Sequence, residues 1–146
     1  MSDVDRAALE RFFTSAPFIH ELGLELVSVA PGECRSRLQV AARHLQQDGF
    51  VHAGVQGAMA DHTAGAAAAS LLRPGQRILG AEFKINLLRA ARGETMYCVA
   101  RVLKAGRTLT VAEAENWCVA GGEEQLVSKA LVTLAVVGES LAGGRS

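Results

Sequence analysis

An excess of charge of either sign is absent from this chain of 146 residues, in which fifteen lysines and arginines face fifteen aspartates and glutamates. The bulk field that draws proteins to nucleic acid or to anionic membranes is therefore missing, neither partner is expected, and an anionic ligand must be held by local groups. Cysteine is scarce too: Cys34, Cys98 and Cys118 are odd in number, far apart and set in predicted strands. That pattern suits small core residues in a reducing compartment rather than a disulfide framework. Metal chemistry finds no motif, since His44, His52 and His62 have neither zinc-motif spacing nor nearby cysteines, and Asp48 and Asp61 share no helical face. The absence of a Gly-x-Ser-x-Gly elbow removes the usual Ser-His-Asp hydrolase. No secretory signal is visible in the charged first ten residues. The nearly uncharged stretch 49–72 fails as a membrane span, because Gln56, Asp61, His62 and Thr63 occupy its middle and its apolar content is mostly Ala and Gly. A single cytoplasmic domain, able to bury a core without staples, is expected. Aromatic residues are also few (one Trp, one Tyr, five Phe), which weighs slightly against an aryl-stacking site.

What the chain does have is one charged side chain, Asp61, inside that uncharged stretch. On a helical wheel its neighbours are Gly54, Gly57, Ala58, Ala64, Gly65 and Ala68, so the acid projects from the slimmest stripe of the segment. Burying an unpaired carboxylate costs several kcal/mol as an order of magnitude, so a lone acid here needs a reason. Another backbone, a partner helix or a ligand must approach closely.

The surrounding pattern reads as an amphipathic helix over 5–14, a hairpin of strands 22–29 and 33–40 about Ala30-Pro31-Gly32, a loop over 41–51 and a helix over 54–72 without a polar face. Strands follow at 78–88, 94–104, 108–120 and 125–137, with a core over about 21–137 and a frayed tail from Gly138. In the first of these, Leu79, Ala81, Phe83, Ile85 and Leu87 alternate with Glu82, Lys84 and Asn86. An antiparallel sheet curled around the apolar helix would bury it, giving an α+β architecture.

Three blocks carry a resemblance: Gln46 through Gly54 (QQDGFVHAG), Asp61 in its Ala/Gly-rich helix, and Glu82 through Gly93. Together they resemble the hotdog-fold acyl-CoA thioesterases of the phenylacetate-degradation (PaaI) type. The resemblance implies a sheet wrapped around the central helix, protomers paired edge to edge as a dimer or dimer of dimers, and sites at the protomer interface. It implies an acyl-CoA substrate, with CoA as part of the substrate and no separate cofactor. Helix-start amides near Gly54 come from one chain and Asp61 from its partner.

On that reading Asp61 is a general base on water or the attacking carboxylate, the former being favoured. The amides of Ala53, Gly54 and Val55 form an oxyanion hole, with Gly54 leaving room for the carbonyl. Ala53 stands where the family commonly has Gly. Gln46, or Gln47 by a shift of one residue, positions the water or the thioester. His52 either bonds the thioester region or braces the loop, while His62 reads as packed or hydrogen-bonded. A hydroxyl that some relatives carry near Gly80 or Ala81 is absent here, with Thr63 as a possible substitute. Arg89, Arg92, Lys104 and Arg107 are candidate cations for CoA phosphates. Two other readings compete: a hotdog enoyl-CoA hydratase or dehydratase using His52 and Asp61, and a noncatalytic module binding acyl-CoA or acyl carrier.

Overall fold

The computed structural model describes residues 3–138. Two helices, α1 (Asp3–Ser15) and α2 (Pro17–Leu22), precede the hairpin β1 (Glu25–Ala30) and β2 (Glu33–Gln39). The long helix α3 (Ala53–Ala69) follows, and then β3 (Gln76–Leu87), β4 (Thr95–Ala105), β5 (Leu109–Ala120) and β6 (Glu123–Gly138). The six strands form one antiparallel sheet in the order β1-β2-β4-β5-β6-β3, leaving β1 and β3 as its edges. Helix α3 touches all six strands, so the sheet curls around it.

The expected α+β architecture is therefore present, with three local differences. The segment before the hairpin is helical: Pro17 opens α2, where its missing N–H costs nothing, and Gly23 ends it in the left-handed region at φ 82°. Strand β1 consequently begins at Glu25 rather than at residue 22. The predicted loop 41–51 contains a 3-10 turn, Ala42–His44, and a bridge from Leu45 to Val51. Gly138 closes β6, and the tail expected beyond it lies outside the described residues.

Small side chains on both partners let helix and sheet approach closely. Ala100, Ala112, Ala114 and Ala130 are buried on the sheet, facing a helix whose Ala60, Ala64, Ala66, Ala67 and Ala68 are buried as well. Met59, Met96, Leu38 and Leu134 fill the larger gaps. All three cysteines are free and buried; burial pushes the Cys34 and Cys98 thiols up to about 12 and that of Cys118 to about 11, which makes them inert.

The apolar alternation of β3 does not mark a buried face throughout. A bulge between Gly80 and Glu82 interrupts its pairing with β6, and Leu79, Phe83 and Leu87 are about half exposed along this edge. Helix α1 covers the other side of α3: the Phe13 carbonyl accepts from His62 Nε2 at 2.8 Å, and the Phe13 ring, fully buried, meets the imidazole edge-on at 4.5 Å between centroids. Deleting that ring removes the anchor of α1. Phe13→Ala is expected to lower the stability of unfolding by about 3–5 kcal/mol, read as a fall in the denaturant midpoint; an unchanged midpoint would show that α1 is not docked as described.

Candidate active site

The start of α3 is held by a network of buried polar groups. His44 is buried and uses both ring nitrogens, accepting from the Ala41 N–H at 2.9 Å and donating to the Leu22 carbonyl at 2.7 Å. Its own carbonyl receives the His52 N–H at 2.9 Å. Gln46 Oε1 accepts the N–H groups of Asp48 and of Phe50, the latter at 3.3 Å, which leaves the Gln46 amide nitrogen as a donor. Deeper in, Asn116 Nδ2 donates to the Gln56 carbonyl at 2.9 Å and to Ser128 Oγ at 3.0 Å, while Gln56 Nε2 reaches the Val51 carbonyl at 3.3 Å. Sequence reasoning passed over His44, Gln56, Asn116 and Ser128. The signal for Asn116 was present, since it occupies an inward position in the alternation of Ala112, Ala114 and Cys118.

His52 caps the helix with an unusual group. Its Nδ1 accepts the Gly54 N–H at 2.8 Å, so the ring presents Nε2–H outward. The N–H groups of Val55 and Gln56 go to the His52 carbonyl at 3.0 and 3.3 Å. Among the described residues no hydrogen bond engages the Ala53 N–H. Of the three amides expected at the helix start, those of Gly54 and Val55 are thus engaged, Val55 is buried, and that of Ala53 is free of a partner among the described residues. A side-chain carbon at Gly54 would lie 3.0 Å from His52 Nδ1, so this glycine makes room for the capping imidazole.

Gln46, Gln47, His52, Ala53 and Arg89 line one open groove of about 510 Å³, together with the end of β3. Arg92 stacks its guanidinium over the Phe50 ring on the groove wall at 5.0 Å. Arg89 directs Nη1 to the Leu126 carbonyl at 2.9 Å. Lys104 and Arg107 belong elsewhere: Arg107 lines a second cavity with Ala68 and Leu72 at the far end of α3, a helix about 25 Å long. Of the candidate cations, Arg89 and Arg92 thus lie beside the groove at the start of α3, and Arg107 lies at its far end.

Asp61 lies away from the groove, eight residues and about 12 Å along the helix axis from Ala53. It is half-buried, and no side-chain hydrogen bond among the described residues engages it. The close approach inferred for its slim stripe is made by the chain's own β3. The Phe83 ring would stand 3.4 Å from a side-chain carbon at Gly57, and a side-chain carbon at Gly80 would stand 3.4 Å from Asp61 Oδ1. Gly80 therefore occupies the position at which a hydroxyl would reach the acid. Thr63 does not replace it: fully buried on the opposite face of the helix, it shares a 2.8 Å hydrogen bond with Ser36. Burial raises the Asp61 carboxyl above the ordinary range, an effect the neighbouring His62 partly opposes. His62 itself is pushed down by burial, against the pull of the Phe13 carbonyl and of Asp61. It packs beneath Phe12 and Phe13 as expected.

A single long helix enclosed by a six-stranded antiparallel sheet, with donors at its start and an acid on its flank, is the hotdog architecture. The thioesterase superfamily model matches residues 48–124, a span that holds His52, Ala53, Asp61 and Gly80. A thioesterase-family protein from Silicibacter pomeroyi is 33% identical, superimposes with a TM-score of 0.89, and covers 92% of this chain and 98% of its own. The 1,4-dihydroxy-2-naphthoyl-CoA hydrolase of Listeria monocytogenes is 28% identical over 115 residues, 79% of this chain and 91% of that protein. A thioesterase from Haemophilus influenzae shares the fold with a TM-score of 0.81 at 24% identity, over 90% of this chain and 89% of that one. The chain belongs to the thioesterase superfamily.

The raised carboxyl has a consequence for stability. Because the folded protein holds this proton more tightly than the unfolded chain, the contribution of Asp61 is fully present below the unfolded pKa and is lost as pH rises through the folded one. Asp61→Asn, which mimics the protonated acid, is expected to melt at a higher temperature than the wild type at pH 7. The gap should close as pH falls through the Asp61 pKa in paired melting curves. A variant less stable than wild type at pH 7 would contradict the desolvated carboxylate.

Proposed function

We propose that the protein hydrolyses an acyl-CoA thioester to free CoA and a carboxylic acid, at a site shared between two copies of the chain. Asp61 of one protomer acts as general base, taking a proton from the water that attacks the carbonyl carbon. The Ala53 N–H of the partner, flanked by the Gln46 amide and His52 Nε2–H, stabilises the oxygen as it gains charge. The intermediate then expels the CoA sulfur as the C–S bond breaks, and the proton held by Asp61 passes to the departing thiolate, which restores the carboxylate.

The observation that carries this reading is the separation of the two halves within one chain. The base must reach the water poised at the carbonyl carbon and the oxyanion donor must reach the carbonyl oxygen, and about 12 Å of helix keeps Asp61 from the Ala53 amide of its own chain. The half-exposed apolar edge formed by Leu79, Phe83 and Leu87 offers a surface for a second copy. Arg89 and Arg92, beside the groove, suit the CoA phosphates. His52 supports hydrolysis over hydration: its Nδ1 is already an acceptor for Gly54 and its other nitrogen carries the proton, so the ring is a donor and not a base.

Two variants separate the roles. Asp61→Asn is expected to lower kcat by about a hundredfold or more. Ala53→Pro removes the first helical N–H at a position where proline is tolerated, and should cost about a hundredfold to a thousandfold. Co-expression of the two inactive chains should restore about a quarter of the wild-type rate by random pairing, since one site in each mixed dimer is intact. Thiol release from the co-expressed protein no faster than from either parent would overturn the shared site.

A further inference from the structure

We propose that Asn116 is a positioning residue, which together with Gln56 holds the free Ala53 N–H at a fixed place opposite the far wall of the groove. The assignment rests on the thioester-hydrolase reading above and adds to it the groups that aim its oxyanion donor.

The two residues close a ring of hydrogen bonds beneath the groove. On β6 the Val127 carbonyl accepts the N–H groups of Leu88 and Arg89 at 2.8 and 3.2 Å, which fixes one wall. Further along that wall the Ala91 carbonyl accepts the Val51 N–H at 2.8 Å, and the Val51 carbonyl accepts from Gln56 Nε2 at 3.3 Å. Asn116 Nδ2 then joins the Gln56 carbonyl to Ser128, the neighbour of Val127, and the ring is complete. Ala53 lies between Val51 and Gln56, so the segment that carries the free amide is tethered at both ends.

Stability does not account for these residues. Gln56, Asn116 and Ser128 are buried, yet neither Gln56 Oε1 nor Asn116 Oδ1 has a hydrogen-bond partner among the described residues. An unpaired buried acceptor is destabilising, and apolar side chains of the same shape in place of such a pair are nearly neutral or better. Ala112, Ala114 and Cys118 fill other inward positions of β5 in that way. The pairing of β5 with β6 also shifts register directly after Asn116, and a bulge of this kind re-aims a side chain. Both hydrogens of Asn116 Nδ2 are directed into the ring, which points to the groove above it as the reason for a polar residue here.

Two CoA analogues read the amide without turnover. In acetyldethia-CoA a methylene replaces the thioester sulfur, so the carbonyl oxygen stays in place and no leaving group remains; S-ethyl-CoA lacks the oxygen. The ketone should bind the wild type roughly fivefold tighter by titration calorimetry, the worth of one hydrogen bond. Asn116→Val should erase that advantage, leave the Kd of S-ethyl-CoA unchanged, and lower kcat by about tenfold to a hundredfold with little change in KM. Gln56→Met, which keeps the side-chain shape, should do the same and keeps the test open if one variant misfolds. Amide hydrogen exchange at Gly54 and Val55 should quicken roughly fivefold in both. A ketone advantage that survives in the folded variants overturns the positioning role and leaves the hydrolase reading standing. A lowered denaturant midpoint with unchanged kcat marks a structural role and overturns it as well. A wild type with neither a ketone advantage nor turnover removes the hydrolase reading, and the exchange rates then decide alone: faster exchange in the variants supports the tether, and unchanged exchange overturns it.

Discussion

Close approach between α3 and the sheet is the constraint on which the molecule depends. A helix of alanine and glycine brings little side-chain bulk to its contacts, and the sheet answers with Ala100, Ala112, Ala114 and Ala130. Strand β3 lies close enough for Phe83 to rest over Gly57 and for Gly80 to flank Asp61. Glycine inside a helix costs about 1 kcal/mol against alanine, so its use at position 57 is explained by what it admits. The bulge after Gly80 belongs to the same arrangement: pairing with β6 resumes at Glu82, and the backbone beside the acid is left without a side chain.

The same economy governs the helix start. Four N–H groups at a helix N-terminus lack intrahelical partners, and each must be assigned. Here His52 takes two of them, the Gly54 N–H on its ring and the Val55 N–H on its carbonyl, its own N–H goes to the His44 carbonyl, and the Ala53 amide is left. Because Gln46 Oε1 is fully used by the loop and His52 Nδ1 by the cap, both side chains turn donors toward the groove. A site lined by neutral donors at the positive end of a helix favours an oxygen that gains charge during reaction.

Much of this was legible in the sequence because it follows from periodicity. The strands, the enclosed helix and the singular position of Asp61 all derive from the alternation of apolar and polar residues and from one charge out of pattern. The helix at Pro17–Leu22 was not legible, since six residues carry too little pattern to show a helix that a proline opens. That Gln46, His52 and Ala53 stand together at the helix start was legible, and their hydrogen bonding was not. Nothing in the order His52, Ala53, Gly54 reveals that the imidazole folds back onto the third residue's amide and leaves the second residue's free. The placing of the cations was not legible for a related reason: Arg89, Arg92, Lys104 and Arg107 all stand near strand ends, but a sheet has two ends, and sequence alone did not assign each turn to one of them.

The distance between Asp61 and Ala53 has a reason beyond assembly. Aspartate is among the preferred residues at a helix start because its carboxylate accepts the free N–H groups there. An acid placed next to Ala53 in its own chain would do so, occupying the free donor and losing its basicity to the helix dipole. Set two turns along, Asp61 can neither cap its own helix nor feel more than a remnant of that dipole, and burial governs its proton affinity instead. The cap falls to His52, which accepts one N–H through Nδ1 and presents a donor at Nε2. In the proposed mechanism, keeping base and oxyanion donor from satisfying each other within a chain leaves both unspent, and a second copy is the means of bringing them to the same thioester.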